Sequence, residues 1–151
     1  MVVTGFKAFD SKTNNRYGMH FEEKKVYSVD GNIKFGTCGN GYHMCTNLED
    51  TLRYVDNYDD IVIGEVIGFG DIDQYDDEYN GYYDMYAVRK LYIRRFISRE
   101  EMIKMMLEVD ENRVFRFIQF FPLSDDEKEM FKLAYASKEK VLDGISYYQE
   151  G

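Results

Sequence analysis

Two hydrophobic periods follow one another along the chain. In the first two thirds, apolar positions alternate or run together as strands do. Gly5-Phe6-Lys7-Ala8-Phe9-Asp10 alternates small or polar with aromatic residues and then meets the turn-rich Ser11-Lys12-Thr13-Asn14-Asn15. Residues 24–28 read as a second strand, closed by the hairpin signal Asp30-Gly31-Asn32, after which Ile33-Lys34-Phe35 follows. Thr46 and Glu49 stand at capping-box spacing, and Leu48, Leu52 and Val55 then fall at i, i+4, i+7, which predicts a core-facing helix. Residues 61–67 are rich in β-branched side chains and nearly continuous in apolarity, the pattern of a central strand covered on both faces. Residues 70–84 read as a loop, and a last strand is expected over roughly 86–97.

The final third has helical spacing. Ser98 with Glu101 and Ser124 with Glu127 mark two capping boxes. The first predicted helix buries Met102, Ile103, Met106 and Leu107, the later one Met130, Phe131, Ala134 and Tyr135. Between them Val114, Phe115, Phe117, Ile118 and Phe121 form a short helix that stops before Pro122, and Val141, Leu142, Ile145 and Tyr148 predict one more. Strands first and helices last give an α+β fold: a mostly antiparallel N-terminal sheet with one helix, then a helical C-terminal third. The expectation is one domain spanning residues 1–151, sheet-rich over residues 1–97 and helical over residues 98–151.

Composition narrows the setting. At 151 residues the chain can bury a true core. No apolar run approaches the ~20 residues that span a bilayer, and the longest, 61–70, contains Glu65. The start of the chain has no signal-peptide pattern, and two cysteines are fewer than a disulfide-stapled secreted domain carries. A cytoplasmic protein is expected, without membrane association, as a monomer or a homodimer.

Net charge is −9 and its distribution is uneven: residues 49–84 hold 12 acids against the single cation Arg53. Such a surface repels phosphate backbones, so direct nucleic-acid binding is not expected.

The chemically densest segment is Gly41-Tyr42-His43-Met44-Cys45-Thr46-Asn47. Cys38, His43, Cys45 and His20 are ligand types for zinc, but no Cys-x-x-Cys clip preorganises them, and no metal site is assigned. Cys45 or Cys38 as a nucleophile with His43 as base is compatible with strand alternation; buried thiols more often simply pack.

The order of elements resembles that of compact ADP-ribosyltransferases, through Gly41-Tyr42-His43, Leu52-Arg53-Tyr54-Val55, Ile63-Gly64-Glu65-Val66 and Leu91-Tyr92-Ile93. That resemblance implies an NAD pocket with Tyr42 stacked on nicotinamide and His43 or His20 near the ribose, with Glu65 as a further candidate. The first-strand His-Gly or Arg motif and the Glu-x-Glu of that family are not found. The opening Gly5 to Asp10, the segment Cys38 to Cys45 and the strand Ile63 to Val66 resemble more specifically a family of small uncharacterised domains of bacteria and their phages, which brings no established activity.

Residues 71–84 pack six carboxylates and four tyrosines into one stretch. Tyrosine offers rigid amphipathic contact area and flanking carboxylates steer basic partners. The preferred reading is a non-catalytic interaction protein, phage-encoded and acting as an inhibitor by charge mimicry. It needs no cofactor and binds a basic, nucleic-acid-binding protein through Asp71, Asp73, Tyr75, Asp76, Asp77, Glu78, Tyr79, Tyr82 and Tyr83. The alternative is an ADP-ribosyltransferase-like enzyme or NAD/ADP-ribose binder using Tyr42, His43 and Glu65.

Overall fold

Strands β1 (Val2–Phe9), β2 (Val26–Ser28), β3 (Tyr42–Cys45), β4 (Val62–Gln74) and β5 (Met85–Ile97) form one antiparallel sheet. The computed structural model describes residues 1–9, 20–36, 38–54, 61–75 and 85–150. It divides into two compact units, Met1–Ile97 and Ser98–Gly151.

In the first unit β4 lies between β1 and β5, pairing Val2↔Phe69 through Phe9↔Val62 on one edge and Ile63↔Ile97 through Gln74↔Tyr86 on the other. On its second edge β5 takes β3 (Tyr42↔Val88 to Cys45↔Met85) and then β2 (Val26↔Tyr92 to Ser28↔Lys90). β3 also meets β1, through the single pair Phe6↔Cys45. The pairings β1–β4–β5–β3–β1 therefore close a ring, which removes most exposed strand edges. Its narrow seam needs Gly5, because a Cβ there would lie 2.2 Å from the carbonyl oxygen of Cys45.

Ring closure explains the length of β4 and β5. Two register shifts bend them, between Glu65 and Val66 and between Phe69 and Ile72. At the second, Gly70 takes φ +81° and Asp71 comes beside Arg89, with Oδ2 accepting from Nε at 2.8 Å. The expected loop 70–84 is corrected accordingly. Residues 70–74 continue β4, because the bulge and the guanidinium accommodate acids that read as loop.

The turn at Asp30-Gly31-Asn32 is corrected as a hairpin too. Gly31 has the positive φ of a turn, but β2 pairs with β5, and only Lys34 of the next segment makes a bridge, to Asn40. The helix expected from Thr46 is a 3-10 helix, Leu48–Tyr54, opened by Asp50 N donating to Asn47 O; Leu48 and Leu52 are buried as the spacing predicts, and Val55 lies outside the described residues.

Phe9, Phe21, Tyr42, Met44, Val66, Val88, Leu91 and Ile93 form the core of this unit. Phe9 packs tilted against Phe21 at 4.9 Å and edge-on to Phe96 at 5.6 Å. Burying one such ring contributes about 2–3 kcal/mol.

The second unit holds α1 (Arg99–Met106), α2 (Glu111–Phe120), α3 (Asp125–Ala134) and α4 (Glu139–Gly144), the last running into one π-helical turn, Ile145–Gln149. Ser98 caps α1 and Asp110 caps α2, while Ser124 and Glu127 make the reciprocal capping box of α3. α2 stops before Pro122 as expected. Met102, Ile103, Met106, Val114, Phe117, Ile118, Phe131, Val141 and Ile145 are buried. Arg99 binds Glu127 through two nitrogens (2.9 and 2.7 Å), donates to Pro122 O and lies 4.5 Å over the Phe121 ring.

One face of α3 is corrected. Phe131 and Tyr135 are buried, but Met130 and Ala134 are exposed, because the Tyr135 hydroxyl reaches the carbonyls of Met106 (2.7 Å) and Val109 (2.8 Å) and fixes the helix's rotation. No described helix is long and apolar enough to cross a membrane.

Candidate functional site

Alternation along β3 turns Tyr42 and Met44 into the core and leaves His43 on the opposite side. There Phe35, Gly36 and Gly41 lie against it. Lys34 and Asn40 exchange two backbone hydrogen bonds (2.9 and 2.8 Å), and Gly41 enters β3 with φ +121°. The His43 ring serves this segment: Nε2 accepts from Gly36 N at 3.0 Å, and Nδ1 lies 3.2 Å from Gly41 O. That pattern places the proton on Nδ1 of a neutral imidazole. Burial first, and the Lys7 charge second, hold its pKa below the ordinary histidine value.

Phe35 joins this histidine to the acidic strand end. Its ring packs 4.6 Å from His43 and 4.9 Å from Tyr75, and its N–H donates to Asp73 Oδ2 at 2.7 Å. Two segments that looked chemically separate in the sequence, 41–47 and 71–75, thus meet through one phenylalanine. Arg89 fastens the other side: besides Asp71 it donates to Val29 O (2.9 Å) and Gly31 O (2.8 Å). Beyond these contacts the ladder continues through Gln74↔Tyr86, and Tyr75 N donates to Met85 O at 2.8 Å. Residues 76–84 connect the two paired ends. Of the residues expected to bind a partner, Asp71, Asp73 and Tyr75 are therefore anchors of this stem, while Asp76, Asp77, Glu78, Tyr79, Tyr82 and Tyr83 lie outside the described residues.

The three candidate catalytic residues do not converge. Tyr42 is 7% exposed, with its hydroxyl toward Ser28 O at 3.5 Å, so its ring is a core element. His43 spends both ring nitrogens on backbone. Glu65 sits between Arg94 (3.2 Å) and Arg95 (2.8 Å), which the bulge at Glu65/Val66 brings to one carboxylate. Cys45 is buried, and desolvation, aided by the charge of Asp50, pushes its thiol up to about 12, so it stays protonated. Cys38 is exposed and His20 is exposed. Among the described residues, no group of three or more His, Cys, Asp or Glu side chains could hold a metal ion.

Two residues of this site were not singled out from the sequence, Lys7 and Phe35. Lys7 donates to His43 O at 2.8 Å, and its burial pulls the amine down to about 8. Its position two residues before Phe9, on the inward phase of β1, was the available signal. Phe35 carried none, because it acts through contacts distant in sequence, whereas Arg89 was marked by its place among cations that follow the acidic stretch with no acid among them, and it pairs with Asp71.

A family model described as Domain of unknown function (DUF7666) matches residues 3–105, two thirds of the chain. No curated protein and no solved structure matches the chain.

Proposed function

The chain belongs to this DUF7666 family, and from that premise we propose a non-catalytic interaction protein that presents the connection between β4 and β5 to a basic protein partner. One observation carries the reading. The β4–β5 ladder continues beyond both register shifts to Gln74↔Tyr86, with Arg89 and Phe35 bracing its end, so a connection of four carboxylates and three tyrosines with no cation springs from a fixed stem. A stem held in place lowers the ordering cost of binding. The carboxylates accelerate encounter with a cationic surface, and tyrosines supply contact area at small entropic cost. The regional excess of acid mimics the charge of a phosphate backbone, which makes a nucleic-acid-binding protein the partner of this reading and its inhibition the consequence. The resemblance of residues 5–10, 38–45 and 63–66 to domains of bacteria and their phages is what favours a bacterial host as the source of that partner.

The experiment uses a chain with Asp76→Asn, Asp77→Asn, Glu78→Gln and Asp84→Asn together, leaving the anchors Asp71 and Asp73 untouched. Capture of a basic protein from bacterial lysate at low salt should be lost in this variant and at high salt. Unchanged capture by the neutralised chain, or a thermal shift of the wild type with NAD or ADP-ribose in place of any capture, contradicts the proposal.

A further inference from the structure

Asp71 and Asp73 stand two residues apart on β4, and only one of them has a cation. Asp71 lies 2.7 Å from Nη2 of Arg89. Asp73 accepts the Phe35 N–H at 2.7 Å, and among the described residues no cation pairs with it. Ile72 packs against the core, so strand alternation turns Asp73 to the outside, where it is half-buried. Two half-buried rings accompany it there. The Phe35 ring meets that of Tyr75 at 4.9 Å, and the N–H of the same phenylalanine holds the carboxylate.

We infer that Asp73, with Phe35 and Tyr75 beside it, receives an arginine side chain of the basic partner. An ionised carboxylate offers about four lone-pair sites, so the bond from Phe35 N leaves room for a guanidinium. That group is planar, donates several N–H bonds to one carboxylate and lies flat on an aromatic ring. A lysine ammonium is a compact, strongly hydrated point charge and does neither as well. The chain uses the same combination internally: Arg99 binds Glu127 through two nitrogens (2.9 and 2.7 Å) while lying 4.5 Å over the Phe121 ring. His43, whose ring touches Phe35 at 4.6 Å, adds no opposing charge, because its Nε2 accepts from Gly36 N and the imidazole is neutral. The arginine site rests on the reading that a basic protein docks at this stem, and it names the side chain that the stem recognises.

The test is an NMR titration of the full chain at low salt with two peptides, one of eight arginines and one of eight lysines. Both carry the same charge, so the acidic connection attracts them alike and the difference isolates the guanidinium. The wild type should bind the arginine peptide about tenfold more tightly, with the Phe35 amide among the resonances that move. Asp73→Asn keeps an acceptor for the Phe35 N–H and removes the charge; it should bring the two affinities within about twofold of each other. Phe35→Leu keeps the backbone bond and removes the ring, and should narrow the preference in the same way. The chain neutralised at Asp76, Asp77, Glu78 and Asp84 should bind both peptides more weakly and keep the preference. Equal affinity of the wild type for the two peptides overturns the arginine site and leaves the proposed function standing. So does a folded Asp73→Asn chain whose preference is undiminished. Binding of neither peptide contradicts both.

Discussion

Gly5→Ala tests the closure of the strand ring. The added Cβ would sit 2.2 Å from Cys45 O, 2.9 Å from Cys45 C and 3.1 Å from Thr46 Cα. All three are backbone atoms, so no side chain can swing away. Relief requires β1 and β3 to separate by about 1 Å, a distance comparable to the shortfall from van der Waals contact, at the place where their only pair, Phe6↔Cys45, closes the ring. Overpacking of this kind costs about 1–3 kcal/mol, and the immobility of the obstacle places this case at the upper end, about 3 kcal/mol. With a urea m-value of about 2 kcal/mol/M, the midpoint of the sheet's transition should fall by about 1.5 M. Far-UV circular dichroism and tyrosine fluorescence follow the transition, since the chain has 14 tyrosines and no tryptophan. Thr4→Ala, one residue away on the exposed side of β1, is the control and should stay within about 0.5 kcal/mol. A Gly5→Ala midpoint within about 0.3 M of wild type, in the range of ordinary scatter, would refute the seam.

Other consequences are as direct. His43 needs its neutral ring in the folded state, with a pKa below the ordinary 6.5, so it binds a proton less readily folded than unfolded. Its stabilising contribution is complete above pH 6.5 and declines as pH falls below it; NMR titration should show the depressed value, and His43→Leu should remove that pH dependence along with the bond to Gly36 N. The Glu127 carboxyl is held down to about 2, chiefly by its hydrogen bonds from Arg99. Its contribution is present above the ordinary value of 4.5 and lost as pH falls toward 2. Because Arg99 is about half exposed, solvent screening discounts the effect, and Glu127→Gln should cost only about 1 kcal/mol at pH 7, with no difference from wild type near pH 2. Tyr135→Phe leaves the carbonyls of Met106 and Val109 without their hydroxyl donor, which should lower stability by about 1–2 kcal/mol in thermal unfolding.

Local signals carried much of the architecture into the sequence. The caps at Ser98 and Ser124, the helix stop before Pro122, and the buried Leu48 and Leu52 all depend on neighbours within a few residues, where periodicity and capping chemistry operate. Closure of the ring did not, because Phe6↔Cys45 joins residues far apart in sequence and Gly5 looks there like any small strand residue. The strand character of Gly70–Gln74 was hidden by Asp71 and Asp73, whose charges read as solvated loop until Arg89 and the Phe35 amide are known to receive them. The spacing placed Met130 and Ala134 on the buried face of α3 with Phe131 and Tyr135, but the Tyr135 hydroxyl fixes a rotation that exposes Met130 and Ala134. Likewise His43 reads as chemistry because imidazoles so often do chemistry. Its use here, satisfying Gly36 N and Gly41 O in a tight segment, is a contact that no periodicity encodes.

Capture of a basic protein by the acidic connection on the β4–β5 stem is the proposal on which the function rests. Its most direct test is a paired pull-down from bacterial lysate, at low and at high salt, with the wild type and with the variant neutralised at Asp76, Asp77, Glu78 and Asp84. A basic, nucleic-acid-binding protein should be retained by the wild type at low salt only and be absent from the variant. Equal retention by both chains, or retention by the wild type that high salt leaves intact, would contradict it.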